Sequence, residues 1–255
     1  MKGLICAGGH GTRLAELTRV TNKHLLPVGS WPMVYYPLQL LQRIGVREVL
    51  LVTGQQHAGQ FIDLLGNGHL LSRKGDEPLF DLELTYKVQV EAGGIAQAVG
   101  MARDFAANDK LVVCLGDNIF ECSQADAIAS WDGGALVFVK DVPDPENFGV
   151  PVYGDDGRVT DIVEKAGWVD KRYATPPSSD AIVGLYCYPP DVYEIIDALA
   201  PSNRGELEIT DVNRAYAERG QLEVRRLEGW WHDGGKHWAD LADVGRRIEQ
   251  TGANK

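Results

Sequence analysis

The chain has 255 residues, 44% of them hydrophobic, enough for one sizeable core or for one domain carrying a small subdomain. Its 36 acidic residues against 25 basic ones give a net charge of −11. That balance provides no long-range positive field. It argues against nucleic acid or a membrane surface as a general partner, but leaves room for an anionic small molecule held by a few local cations.

Residues 2–6 read as a short buried strand, followed by the glycine-rich stretch AGGHGTRL at 7–14. Residues 34–44 have helical apolar spacing and lead through Gly45 into a second buried strand, Glu48–Thr53. A helix is expected at 57–65, a third strand at Leu84–Val90, and a helix at Ile95–Phe105 opened by Gly93-Gly94. The apolar run Leu111–Leu115 is stopped by Gly116-Asp117-Asn118. Strands and helices alternating at these lengths predict an α/β fold with a mostly parallel, Rossmann-like central sheet and helices on both faces.

After about residue 135 the strands become shorter and more polar: Ala135–Lys140, Gly149–Tyr153, Arg158–Glu164 and Ala181–Tyr188. Residues 166–180, with two prolines and three hydroxyl residues, read as a loop. Helices are expected at Asp191–Leu199 and Ile209–Arg219, then a strand at Leu222–Leu227 and a final amphipathic helix from Lys236 to Ile248. The expectation is a single domain, with a nucleotide-binding half (1–134) and a smaller mixed half (135–255) contributing to one cleft.

Cys6, Cys114, Cys122 and Cys187 lack C-x-x-C spacing and sit mostly in apolar runs. They read as free thiols of a reducing compartment rather than a disulfide or zinc framework. No apolar run reaches about 18 residues, so no segment is predicted to cross a bilayer. Without a charged leader ahead of the first strand, the expected location is the cytoplasm.

Three motif classes compete for AGGHGTRL. A dinucleotide fingerprint needs G-x-G-x-x-G and an acidic residue ending the second strand, whereas this strand ends Val52-Thr53-Gly54. A Walker loop needs G-K-S/T, which is absent from the chain. The third class is a turn in which Gly8, Gly9 and Gly11 admit a triphosphate close to the backbone, with Thr12 adding a hydroxyl and Arg13 a fixed cation. In isolation a plain tight turn reads the same way. What distinguishes it is TNKHLLPVG at 21–29, which sets Lys23 within reach of the same phosphates.

With these stretches the chain resembles the sugar-phosphate nucleotidylyltransferases, most of all the short glucose-1-phosphate thymidylyltransferases. The resemblance runs in the family's order through YKVQ, GGIAQA, LGDNIF, NFGV, VEK, VGLYCYPPDV, RGELEITDVN and WWHDGG, from residue 7 to residue 235. LGDNIF and RGELEITDVN are long enough to be specific. The implied reaction is attack of a sugar-1-phosphate oxygen on the α-phosphorus of dTTP. With α-D-glucose 1-phosphate it gives dTDP-glucose and pyrophosphate.

Both reactants are anions, so such a site works by neutralisation and alignment, with a divalent metal, Mg2+, bridging phosphate oxygens. By the resemblance, Asp117 and Asp233 hold that metal from opposite halves of the chain, and Arg13 and Lys23 neutralise the transferring phosphoryl group. Gly8, Gly9, Gly11 and Thr12 wrap the nucleotide, and Gln89 pairs with a pyrimidine edge, aided by backbone at Gly94. Gly149, Glu164, Lys165 and Val183 are implied at the sugar phosphate. On residues alone, Asp117 could equally form an Asp-Asn turn, Gln89 end a strand, and Glu164-Lys165 lie on a solvated strand end. Glu206, Glu208 and Asp211 read as a helix start more than as catalytic carboxylates, with Glu206 the best placed of the three to line the sugar pocket.

The chain departs from the family pattern in having Ala166, not proline, after Glu164-Lys165, and in having Gly234-Gly235-Lys236 after Asp233. These changes border the sugar and metal sites and leave the particular sugar open. UTP or another hexose 1-phosphate is the nearest alternative. A non-catalytic nucleotide-sugar sensor is disfavoured because Arg13, Lys23, Asp117 and Asp233 are all kept. A glycosyltransferase is disfavoured because no Asp-x-Asp ends an apolar strand. The resemblance also implies a homo-oligomer, dimer or tetramer, for which Tyr35-Tyr36 and Trp230-Trp231 are contact candidates if they are not core.

Overall fold

A computed structural model describes residues 1–9, 14, 17–71, 78–165, 169–234 and 238–255. In chain order the first elements are β1 (Lys2–Ala7), β2 (Pro27–Val28), β3 (Trp31–Pro32), α1 (Tyr35–Arg43), β4 (Glu48–Gly54) and α2 (Ala58–Leu65). They are followed by β5 (His69–Leu71), β6 (Pro78–Asp81), β7 (Glu83–Gln89), α3 (Ile95–Gly100), α4 (Arg103–Ala106), β8 (Leu111–Leu115), β9 (Asn118–Phe120) and α5 (Ala125–Ala129). Next come β10 (Ala135–Asp141), β11 (Gly149–Tyr153), β12 (Val159–Glu164), β13 (Asp180–Tyr188), α6 (Val192–Ala198) and α7 (Ile209–Glu218). The last elements are β14 (Leu222–Arg226), β15 (Trp231–Asp233) and α8 (Trp238–Thr251). The α/β class is as expected from the sequence.

The chain forms two compact units, each drawn from several stretches: Met1–Ala92, Val112–Ala129 and Glu228–Lys255 in the first, Gly93–Leu111 and Ser130–Leu227 in the second.

In the first unit the sheet strands run in the order β8-β1-β4-β7. β1 pairs parallel with β4 (Ala7 opposite Thr53), and β4 pairs parallel with β7 (Gly54 opposite Gln89). Leu4, Ile5, Val49 to Val52 and Val112 to Cys114 are buried. Such uninterrupted apolar runs are what parallel strands covered on both faces require. Gly3 has no room for a side chain, since a Cβ there would lie 2.9 Å from Leu41 of α1. A second layer of core joins Val28, Met33, Tyr36 and Ile119 to Leu241 and Val244 of α8. Tyr36 belongs to it, and Tyr35 is buried as well; both are in ring contact with Trp31, so they are core residues.

In the second unit the order is β14-β10-β13, with β10 parallel to β14 and antiparallel to β13. The mixed character expected for this part of the chain is present. β11 and β12 form a separate antiparallel hairpin whose turn uses Gly157 at φ +78°. Tyr188 of β13 stacks on Tyr216 of α7, and its hydroxyl donates to Asn213 Oδ1 at 2.6 Å. The helix expected over Ile95–Phe105 is two helices. Ala102 N–H bonds Val99 O, three residues back, at 2.9 Å, which tightens the chain between α3 and α4. The sequence reading passed over the short strands β5, β6, β9 and β15.

Candidate active site

In the first unit the glycine turn begins where β1 ends. Gly8 and Gly9 help line a cavity of 440 Å³ with Thr18, Thr21, Asn22 and Gln89. It opens at the carboxyl ends of parallel strands, where α/β sheets hold ligands. A Cβ on Gly8 would fall 2.6 Å from Gln89 Oε1, so the bare backbone is what allows this approach. Gly11, Thr12 and Arg13 lie outside the described residues. Thr21 heads TNKHLLPVG without a role assigned to it, and Thr18 was not anticipated. Thr18 follows the glycine-rich stretch and carries no pattern of its own.

Lys23 sits in a single 3-10 turn, Lys23–Leu25, capped by Asn22, whose side-chain oxygen accepts from His24 N at 3.0 Å. Asn22 Nδ2 also donates to Ala7 O at 3.1 Å, tying this turn to the end of β1. The turn directs Lys23 Nζ onto Asp117 Oδ2 in an ion pair. Burial would push the Asp117 carboxyl up, but Lys23, with His24 and the Asn118 amide, outweighs it and holds the group well below the usual carboxylate range. His24 is fully enclosed and its ring is held by Asn22 Oδ1 at 2.6 Å. Burial first, then Lys23, lowers its pKa to about 3 against an opposing effect of Asp117, so it is neutral at pH 7.

Asp117 follows β8, and the chain turns at once into β9. β9 pairs antiparallel with β15, which sets Asp233 opposite Asn118. Asn118 Nδ2 donates to Asp117 Oδ1 at 3.0 Å, and Trp231 Nε1 donates to Asn118 Oδ1 at 2.6 Å. Gly234 N–H closes onto Asp117 O at 2.8 Å. Asp117 and Asp233, far apart in sequence, thus both belong to the first unit, Asp233 paired with the residue that follows Asp117. Two carboxylates are a set of hard oxygen donors that suits Mg2+, which takes one or two protein carboxylates and fills its other positions with water and phosphate. Among the described residues no group of three or more His, Cys, Asp or Glu side chains forms a metal cage. The four cysteines are free thiols.

Gly94, Gly149, Glu164, Lys165 and Val183 belong to the second unit. Gly149 on β11 lies opposite Glu164 on β12. Glu164 Oε1 accepts from Lys165 Nζ at 2.7 Å, and Oε2 from Thr210 Oγ1 at 2.5 Å. Lys165 adopts φ +45°, a left-handed backbone costly for a non-glycine residue, with its N–H on Phe148 O at 3.0 Å. Arg204, not anticipated, forks onto Glu208 (2.9 and 2.8 Å) and lies 3.9 Å from Glu164 Oε1. The sequence offered only its place at the head of RGELEITDVN.

Glu208 is the N-cap residue of α7 but makes no capping bond, its carboxylate being taken by Arg204 and Ser202. Glu206 stands 3.5 Å from Arg204, and Asp211 pairs with Arg214 one turn along α7. Val183 is wholly buried in β13. Gly94 has a packing reason of its own. At φ +95°, a Cβ there would sit 2.3 Å from Leu207 O.

Residues 2–251 match the family model described as nucleotidyl transferase. The chain is 40% identical over 243 residues to a glucose-1-phosphate thymidylyltransferase of Neisseria meningitidis, covering 93% of this chain and 79% of that one. It is 39% identical over 256 residues to a Mycolicibacterium smegmatis protein of the same name, covering 98% and 83%. A solved Bacillus anthracis structure assigned to that activity superposes with a TM-score of 0.83 at 40% identity, over 97% of this chain and 94% of that one. With its glycine turn, its Lys23–Asp117 pair and a family match over nearly its whole length, the chain is an enzyme of the nucleotidyl transferase family.

Proposed function

We propose that the chain transfers a thymidylyl group from dTTP to α-D-glucose 1-phosphate, releasing pyrophosphate and forming dTDP-glucose. A phosphate oxygen of the sugar phosphate forms a bond to the α-phosphorus as the bond to the β-phosphate oxygen breaks, and pyrophosphate leaves. The observation that carries this reading is the buried Lys23–Asp117 pair beside the glycine-lined cavity, with Asp233 on the strand paired to Asn118.

In this reading Gly8, Gly9, Gly11 and Thr12 wrap the triphosphate, and Arg13 and Lys23 neutralise the transferring phosphoryl group. Gln89 offers an amide donor and acceptor to a pyrimidine edge, with Gly94 contributing backbone. Asp117 and Asp233 would hold Mg2+, which supplies charge neutralisation at phosphate oxygens. Gly149, Glu164, Lys165 and the backbone of Val183 serve the sugar phosphate. The carboxylate accepts from sugar hydroxyls and the lysine meets the phosphate. No described helix is long and apolar enough to cross a membrane. A cytoplasmic homo-oligomer, dimer or tetramer, built from a nucleotide-binding half and a sugar-phosphate-binding half, completes the proposal.

The test is pyrophosphate release from Mg2+, glucose 1-phosphate and each of dTTP, UTP, CTP, ATP and GTP. The expected result is strong release with dTTP, lost in Asp117→Ala. Preference for UTP or for another hexose 1-phosphate would move the specificity and keep the reaction. Silence with every pair of substrates would overturn the proposal.

A further inference from the structure

Glu164 holds a carboxylate whose two oxygens are engaged in different ways. Oε1 is taken by Lys165, its own neighbour in sequence, through a flexible four-carbon side chain. Oε2 is taken by Thr210, 46 positions away in the first turn of α7, at 2.5 Å. Thr210 is 4% exposed, and its β-branched side chain has few rotamers to choose from. A threonine at a helix start commonly turns its hydroxyl to nearby backbone. Here the hydroxyl leaves its own helix and donates to a strand residue. Gly149 makes room for this bond, because a Cβ there would lie 3.1 Å from Thr210 Oγ1 and 3.3 Å from Glu164 Oε2.

We infer that Thr210 is a positioning residue for sugar-phosphate recognition: its hydroxyl fixes Glu164 by Oε2, so that Oε1 is the oxygen presented to a sugar hydroxyl once an anionic phosphate draws Lys165 away. The inference rests on the reading of the second unit given above. Lys165 is the exchangeable partner. Its ammonium ends a long unbranched side chain, and a phosphate dianion competes for it better than a single carboxylate. Thr210 is the fixed partner, buried and neutral, and keeps the carboxylate plane in place while Oε1 changes hands. A hydrogen bond to a charged group has the strength to hold that orientation.

The experiment compares wild type with Thr210→Val, which keeps the shape and removes the hydroxyl, and Thr210→Ser, which keeps the hydroxyl. Initial rates with glucose 1-phosphate and with dTTP give separate KM values, and thermal melting reports folding. The expected result for Thr210→Val is a KM for glucose 1-phosphate raised about tenfold, with the KM for dTTP within about twofold of wild type. Preference for glucose 1-phosphate over galactose 1-phosphate should narrow as well, and Thr210→Ser should restore both readouts. If Thr210→Val does not fold, Thr210→Ala carries the same comparison.

An unchanged sugar-phosphate KM in the hydroxyl-free variant, or the same loss in Thr210→Ser, overturns the inference while leaving the reaction intact. A parallel rise of both KM values with a lowered melting temperature assigns Thr210 a purely structural role and also overturns it. A wild-type protein inactive with every substrate pair takes the functional reading and the inference down together.

Discussion

Lys23 and Asp117, 94 positions apart in the sequence, close into one ion pair in which each side chain is no more than 15% exposed. Removing one partner of such a pair leaves the other charge poorly solvated, a loss of about 3 kcal/mol. Lys23→Met and Asp117→Asn are each expected to destabilise the protein by about that much, and the double variant to recover most of it. Urea unfolding of the three variants measures the coupling. Additive losses would show that the pair has no energetic coupling.

His24 gives acid sensitivity a defined window. Unfolded, it titrates near 6.5, and in the fold near 3, so between those values the unfolded chain binds more protons. Its contribution is present above pH 6.5 and is lost as pH falls, at up to about 1.4 kcal/mol per pH unit. Asp117, whose carboxyl is held low in the fold, acts in the same sense, but only below its ordinary value of 3.8. Denaturant midpoints of metal-free protein at pH 7, 6 and 5 should fall steadily, and His24→Gln should flatten the profile. A wild-type profile already flat from 7 to 5 contradicts the burial argument.

Gly8 and Gly9 are adjacent in sequence and should respond differently to a methyl group. At Gly8 a Cβ meets Gln89 Oε1 at 2.6 Å, while at Gly9 nothing lies within 4 Å. Gly8→Ala must push the Gln89 amide aside, and a rise of about fivefold to tenfold in the KM for dTTP is expected, with little change in melting temperature. Gly9→Ala should leave stability within about 0.5 kcal/mol of wild type. Equal KM values in wild type and Gly8→Ala would remove Gln89 from base recognition.

Arg204 holds Glu208 through two guanidinium nitrogens, Nε on Oε1 at 3.2 Å and Nη2 on Oε1 and Oε2 at 2.9 and 2.8 Å, a fork that a lysine cannot reproduce. The arginine is 32% exposed and Glu208 only 11% at the side chain, so the pair lies between a surface and a buried bridge. Arg204→Ala is expected to cost about 1–2 kcal/mol, and Arg204→Lys to recover less than half. Thermal or chemical unfolding distinguishes this from a surface pair, for which both substitutions would be silent.

Much of this was legible in the chain because continuous apolar runs mark parallel strands. β1, β4 and β8 were placed that way, and with β8 came Asp117 at its carboxyl end. Elements of two to four residues were not legible. Among the described residues β9 finds its strand partner in β15, more than a hundred positions away, so nothing local in Asn118-Ile119-Phe120 announces the partner of Asp233. The same reason hid Thr210 and Arg204. Each is an ordinary helix-start or loop residue until β12 brings Glu164 alongside. Val183, a motif position, lies buried within β13.

The first unit is closed by residues that lie far from its first strands in the sequence. Asn254 Nδ2 donates to Tyr36 O across 218 positions, and Asn254 and Lys255 bond along Phe120 to Ser123, directly beyond β9. Asp233 and these contacts emerge long after β1, β4 and β8 in chain order. Val28, Met33, Tyr36 and Ile119 must therefore wait for Leu241 and Val244 of α8 to cover them. Long-range closure of this kind is slow and exposes the chain to aggregation. During translation, the pairing that sets Asp233 beside the Asp117 turn should thus form only after β15 has emerged, rather than growing strand by strand.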